Sequence, residues 1–178
     1  MKKLLLFLLC ALVPPVAVHA QQPDRRGIFL EGTVGLSTVT SPYEVDFHFN
    51  LSPTAGYRFG KYLSAGFRAT FETGSIPYRV YTPFVRLHYL NKPTWELFVE
   101  GQASLGLRDV DCGQAGYTET GVALGGSYVV TPRLRLVGRY LFVGVSDNSD
   151  WTGRSEDEKR FLFDARSGRL HLGLQWQF

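Results

Sequence analysis

The side chains in this sequence best equipped for chemistry are charged ones of a single parity. Glu31, Arg58, Arg68, Glu72, Arg86, Glu96, Glu100, Glu119, Arg135, Arg139 and Arg169 all stand where polar and apolar residues alternate. Guanidinium and carboxylate groups gathered on one face can pair as bidentate contacts or line a path for water and ions. Histidine is the usual general base, and His48, His88 and His171 are the candidates beyond the N-terminal segment. Cys112 has no second cysteine outside that segment, so no internal disulfide or zinc framework is expected. The stretch Ser146 to Arg160 sets Asp147, Asp150, Glu156, Asp157 and Glu158 around Trp151 at a spacing that fits no EF-hand loop. It reads as a solvated acidic loop, and no metal or cofactor is expected.

Which of these groups can meet depends on the elements that carry them. The 178 residues suffice for one domain. With 19 Lys and Arg against 16 Asp and Glu, spread without a basic run, nucleic acid is not an expected partner. Residues 1–20 read as a signal peptide: Met1, Lys2 and Lys3 are the positive start, Leu4 to Val13 the apolar stretch, and Val18-His19-Ala20 the cleavage site. A lipid anchor on Cys10 is disfavoured by Leu9, where a small residue would be needed. Removal of the segment leaves a nearly neutral chain, with 21–26 as a short periplasmic lead and 27–178 as a barrel domain.

From Ile28 onward the apolar residues recur at period two and nowhere settle at 3.6, which predicts strands. Eight such segments run over 28–36, 47–58, 63–72, 81–89, 95–107, 119–130, 134–143 and 169–178. In the second, Phe47, Phe49, Leu51, Pro53, Ala55 and Tyr57 share one face, and His48, Asn50, Ser52, Thr54, Gly56 and Arg58 share the other. In the seventh, Leu134, Leu136, Gly138, Tyr140 and Phe142 oppose Arg135, Val137, Arg139, Leu141 and Val143. Tight connections at Gly60-Lys61, Asn91 to Thr94 and Thr131 to Arg133 alternate with Ser37 to Asp46, Thr73 to Ile76, Arg108 to Thr118 and Ser146 to Arg160, which include the long ones. An even number of hairpin-joined strands removes both sheet edges by closing. The expected fold is all-β, a closed eight-stranded antiparallel up-and-down transmembrane β-barrel. Pro53 and Pro83 each remove a ladder hydrogen bond within a strand, and bulges are expected there.

A barrel with one apolar face either keeps that face inside, in water, or wears it outside, in lipid. The lysines beyond the signal segment, Lys61, Lys92 and Lys159, all fall in connections. The apolar faces carry no charge, and their aromatic residues collect at the two ends. Tyr57, Tyr89, Trp95, Tyr128, Trp176 and Phe178 lie toward the short turns, and Phe47, Phe71, Tyr81, Tyr140 and Phe142 toward the loops. Such girdles belong at lipid–water interfaces. An Arg turned into a bilayer midplane costs roughly 2 to 4 kcal/mol, so Arg68, Arg86 and Arg139 are expected inside. There the charges would pair across a lumen narrow enough to be filled by side chains. Small inward residues, Gly121, Ala123, Gly125 and Ser127, leave room for the alternative of a narrow water path.

The final eight residues set a polar residue, a glycine, a tryptophan and a closing phenylalanine at His171, Gly173, Trp176 and Phe178. This spacing resembles the C-terminal assembly signal of bacterial outer-membrane barrels. Residues 27–178 as a whole resemble, in architecture and in that signal, the small eight-stranded outer-membrane proteins of the OmpA transmembrane domain and OmpX type. The resemblance implies a monomer in the outer membrane, with loops outside and termini in the periplasm, among outer-membrane lipids and lipopolysaccharide. It also implies delivery to the barrel assembly machinery and a structural or surface-interaction role. Some barrels of this class modify lipid A, and the deacylases among them place a serine two residues after a histidine. Here those positions are Asn50, Leu90 and Gly173, so no catalytic residue is expected. A narrow small-solute channel is the first alternative, and a lipid A-modifying enzyme is the second. Phe161-Leu162-Phe163 would extend the last strand beyond the membrane and offer an edge for strand addition.

Overall fold

The computed structural model describes residues 26–40, 45–73, 78–110, 113–147, 160–165 and 169–178. The expected signal segment, Cys112, most of the acidic stretch 146–160 and the side chains of Phe47 and His48 lie outside the described residues. The strands are β1 (Arg26–Thr40), β2 (Val45–Phe59), β3 (Leu63–Glu72), β4 (Arg79–Asn91), β5 (Trp95–Val110), β6 (Gly113–Val129), β7 (Leu134–Ser146), β8 (Arg160–Asp164) and β9 (His171–Gln177). Each pairs antiparallel with the next from β1 to β7. Closure comes from β9, which pairs with β7 from Leu134↔Trp176 to Arg139↔His171 and with β1 from Phe29↔Gln177 to Gly35↔His171. Strand β8 continues along β7 from Phe142↔Asp164 to Ser146↔Arg160. Strands β8 and β9 are therefore two parts of one eighth barrel strand, and the sheet closes as an up-and-down barrel.

Period two decides which side chains enter. Along β2, Asn50, Ser52, Thr54 and Arg58 are buried while Leu51, Pro53, Ala55 and Tyr57 are exposed, and β3, β4 and β5 repeat the scheme. The outer wall is apolar around the whole circumference, as Leu30, Leu51, Phe67, Val85, Leu105, Leu124, Leu136 and Leu174 show strand by strand. The short connections, 60–62, 92–94 and 130–133, sit at the end that holds Arg26 and Phe178. In this polarity-inverted arrangement the interior holds the buried charges.

Three details depart from the sequence expectations. First, neither proline makes a bulge. Pro53 pairs with Gly32 and Pro83 with Phe67 in unbroken register. On the opposite side each ladder skips two pairs, those of Ser52 and Pro53 with β3 and those of Thr82 and Pro83 with β5, and then resumes in the same register. The absent N–H is thus confined to one neighbour. Across each gap a hydroxyl pair takes over: Ser52 Oγ lies 2.8 Å from Thr70 Oγ1, and Thr82 Oγ1 donates to Ser104 Oγ at 2.9 Å.

Second, the bulges that do occur fall elsewhere, at Tyr89 on β4 and at Leu141 on β7. Leu141 has φ 62°, in the left-handed region, and as the extra residue it reverses the parity beyond it. Phe142 consequently points inward and is 1% exposed, whereas Val145 points out. Phe142 therefore leaves the outer girdle in which alternation had placed it. Third, the stretch 108–118 is mostly strand, since β5 and β6 stay paired up to Val110↔Gly113.

A leucine in the left-handed region is strained by roughly 1 to 2 kcal/mol, more if β-branched. Leu141→Asn is expected to hold or raise the urea-unfolding midpoint of the folded barrel, and Leu141→Val to lower its stability by about 1 to 2 kcal/mol. In a double-mutant cycle, Thr82→Val with Ser104→Ala is expected to show a coupling of about 1 kcal/mol.

Candidate functional site

Inward parity on adjacent strands brings the lumen charges into three tiers. Nearest the short turns, Glu96 of β5 accepts from Arg58 Nη1 at 3.0 Å and from Arg135 Nη1 at 2.8 Å, and its Oε2 lies 3.2 Å from His88 Nδ1. His88 Nε2 is 3.0 Å from Ser64 Oγ. Arg58 also donates to the carbonyls of Gly60 and Lys61, which ties the β2–β3 turn to the tier. Arg58 and Glu96 are essentially out of reach of solvent.

The middle tier joins five strands. Arg86 of β4 donates through Nε and Nη2 to Glu100 Oε2 at 3.0 and 2.8 Å, and through Nη1 to Glu31 Oε2 at 3.1 Å. Arg68 Nη2 reaches Glu100 Oε1 at 2.5 Å. Arg139 Nη2 donates to Thr33 Oγ1 at 2.6 Å, and the guanidinium lies 3.8 Å from Glu31 and 3.6 Å from Glu100. In the third tier, toward the loops, Arg169 bonds both oxygens of Glu119 at 3.1 and 2.8 Å and Asp164 Oδ2 at 3.0 Å. Glu72 is half-buried and lines the cavity that opens in this tier, a space of about 90 Å³.

Aromatic rings fill what the charges leave. Phe29, Phe84 and Phe98 share the inward parity, and their ring centroids stand 5.8, 5.1 and 4.2 Å from the Arg86 guanidinium carbon. The Arg169 guanidinium lies 4.7 Å from the Phe142 ring. Such contacts strengthen when desolvated. Each ring needs a neighbour without a side chain: Phe29 lies across from Gly56, Phe84 from Gly66 and Phe98 from Gly125. A Cβ at any of the three glycines would strike the ring. The room that Gly121 and Gly125 had suggested is therefore occupied, by the rings of Phe142 and Phe98.

The terminal motif is distributed by the same parity. Trp176 and Phe178 are on the outer wall, His171 faces the cavity, and Gly173 sits against β1 so closely that a Cβ would collide with the Gly32 carbonyl and the Thr33 backbone. Tyr57, Tyr89, Trp95, Tyr128 and Trp176 are all exposed on the outside near the short turns, with Trp95 directly across from Tyr128. Sequence reasoning omitted Asp164, Thr33 and the four inward phenylalanines from the lumen cluster. Three of those rings did stand on the polar parity, which was the available signal. Among the described residues no group of three His, Cys, Asp or Glu side chains could hold a metal ion.

No protein-family model matches the sequence, and no curated protein matches it. Solved structures do match. The crystal structure of Neisserial surface protein A aligns with a TM-score of 0.56 at 19% identity, over 85% of this chain and 97% of that one. The solution structure of the de novo designed protein TMB2.3 aligns at 0.47 and 14% identity, over 89% and 98%. Ail, the attachment invasion locus protein of Yersinia pestis, aligns at 0.46 and 11% identity, over 87% and 99%. At 19% identity, the first of these is a likeness of fold.

Glu100 is the shared counter-ion of the middle tier, so neutralising it leaves buried guanidinium charge uncompensated. Glu100→Gln is expected to destabilise the folded barrel by about 3 to 5 kcal/mol, read from urea unfolding followed by tryptophan fluorescence.

Proposed function

We propose that the chain is an integral outer-membrane β-barrel protein with a structural or surface-interaction role and no catalytic one. The observation that carries this reading is the inversion of polarity: leucine, valine and aromatic residues coat the outside on every strand, while the buried side chains include five arginines. Water would reward the opposite distribution, because exposed apolar surface on this scale drives association. A lipid exterior rewards this one. The ring of Tyr57, Tyr89, Trp95, Tyr128 and Trp176 near the short turns has the composition of an interfacial girdle. The shared fold of a Neisserial protein described as a surface protein supports the same location.

In this reading the short turns and both termini face the periplasm and the longer connections face outward. The partners are lipopolysaccharide and other outer-membrane lipids, and the barrel assembly machinery reads His171, Gly173, Trp176 and Phe178. The tiers of ion pairs and the rings of Phe29, Phe84, Phe98 and Phe142 act as a plug, which favours a non-conducting barrel over a narrow solute channel. The β7–β8 hairpin carries Phe161 and Phe163 exposed on its outer face, in line with a role in contacts at the cell surface.

The test is fractionation followed by gel migration with and without boiling. The protein is expected in the outer-membrane fraction with a heat-dependent shift in mobility, and a soluble periplasmic protein without that shift would overturn the reading. In planar bilayers the wild type is expected to give no ion-conducting steps. Leu124→Arg, on the outer wall, is expected to cost about 2 to 4 kcal/mol in lipid if it lies near the midplane.

A further inference from the structure

The cavity above the middle tier is lined by guanidinium N–H groups that meet no acceptor among the described residues. That tier sets the guanidinium groups of Arg68, Arg86 and Arg139 against the carboxylates of Glu31 and Glu100. Arg86 bonds both carboxylates, and Arg68 takes the second oxygen of Glu100. Arg139 is left at ion-pair range, and its Nε and Nη1 have no hydrogen-bond acceptor among the described residues. Arg68 Nε likewise has no acceptor, and His171 Nδ1 and Asn50 Oδ1 have no hydrogen-bond partner among the described residues. Asn50, Arg68 and Arg139 are only 5, 6 and 4% exposed, and all four residues line the cavity.

Unpaired N–H groups buried at this depth are uncommon and costly, and within the middle tier three guanidinium groups face two carboxylates, a local excess of buried positive charge that is costlier still. Water in the cavity can accept the hydrogen bonds and leaves the charge uncompensated. An anion supplies both acceptors and charge. The volume of about 90 Å³ is room for roughly three water molecules at about 30 Å³ each, which suits a small oxyanion and excludes a sugar acid. Glu72 and Glu119 also line the space, and Glu119 is held by Arg169. Their charge disfavours multiply charged anions and selects a singly charged one.

We infer that this cavity is a binding site for a small monocarboxylate, held by the free guanidinium N–H groups of Arg139 and Arg68. His171 flanks it, and the Asn50 amide presents its NH₂ on turning over, an orientation that side-chain amides exchange readily. The tiers beneath close the floor, so the site is a dead-end cup. It does not depend on the membrane reading, because it rests on the lumen of the folded barrel alone.

The experiment titrates sodium acetate into ¹⁵N-labelled protein in zwitterionic micelles. Sodium gluconate is the counterpart at constant ionic strength, and the arginine Nε–Hε resonances are followed by NMR. Acetate is expected to shift Arg68 and Arg139 saturably, and gluconate to leave them in place. Asn50→Asp sets a like charge in the cup without changing its size, and is expected to weaken acetate binding on the order of tenfold while the heat-dependent gel shift persists. Arg139→Gln is expected to remove the response. A linear drift with acetate, an equal response to gluconate, or unweakened binding by the folded Asn50→Asp variant would each overturn the inference and assign the cavity to water.

Discussion

A guanidinium shut away from water must find its counter-charge inside the protein, and Arg86 is the group around which this interior is arranged. It is 1% exposed, bonds Glu100 and Glu31 from different parts of the wall, and is surrounded by the rings of Phe29, Phe84 and Phe98. The attraction between such charges offsets the loss of hydration only when geometry is good and the remaining donors are met. The tier therefore constrains β1, β4 and β5 to one relative position, and Arg68 and Arg139 extend the constraint to β3 and β7. In a barrel whose outer wall is uniformly apolar, these interior contacts supply the specificity that a hydrophobic core supplies elsewhere.

Filling a narrow lumen with rings and guanidinium groups leaves no space for a side chain opposite each ring. Gly56, Gly66 and Gly125 answer that requirement by standing directly across from Phe29, Phe84 and Phe98. At the seam, Gly173 allows β9 to approach β1. The two prolines are accommodated by the same economy of position. Each turns its missing donor toward one neighbour, and an inward hydroxyl pair spans the gap in the ladder. Closure, packing and ion pairing are therefore one problem solved by residues of one parity.

Much of this was legible from alternation, because a strand with an apolar outer face on one side and charges on the other leaves a period-two record. That record fades where both faces meet similar surroundings. Over 108–118 and 37–46 the few apolar residues stand among small and polar ones, so the outer extensions of β5, β6, β1 and β2 read as loop. Alternation also carries no mark of an inserted residue. Leu141 shifts the register by one, and Phe142, which belonged outside by counting, is packed against Arg169 inside. The expectation of bulges at Pro53 and Pro83 failed because a proline needs only one hydrogen-bonding side without a partner, and an antiparallel strand offers that without adding a residue.

Side-chain type at period two is enough to read the all-β class, the strand count, the face of each residue over most of the barrel and the presence of charges of both signs in the lumen. It could not determine which arginine meets which carboxylate. That depends on the stagger between neighbouring strands, a quantity set by closure of the whole sheet rather than by any one strand. Once the barrel has closed, Glu100 serves Arg68 and Arg86 together, Asp164 joins Glu119 on Arg169, and Arg139 keeps donors facing a cavity. The physical reason is that pairing across a lumen is a contact between strands distant in sequence, and their relative height exists only once the barrel has closed.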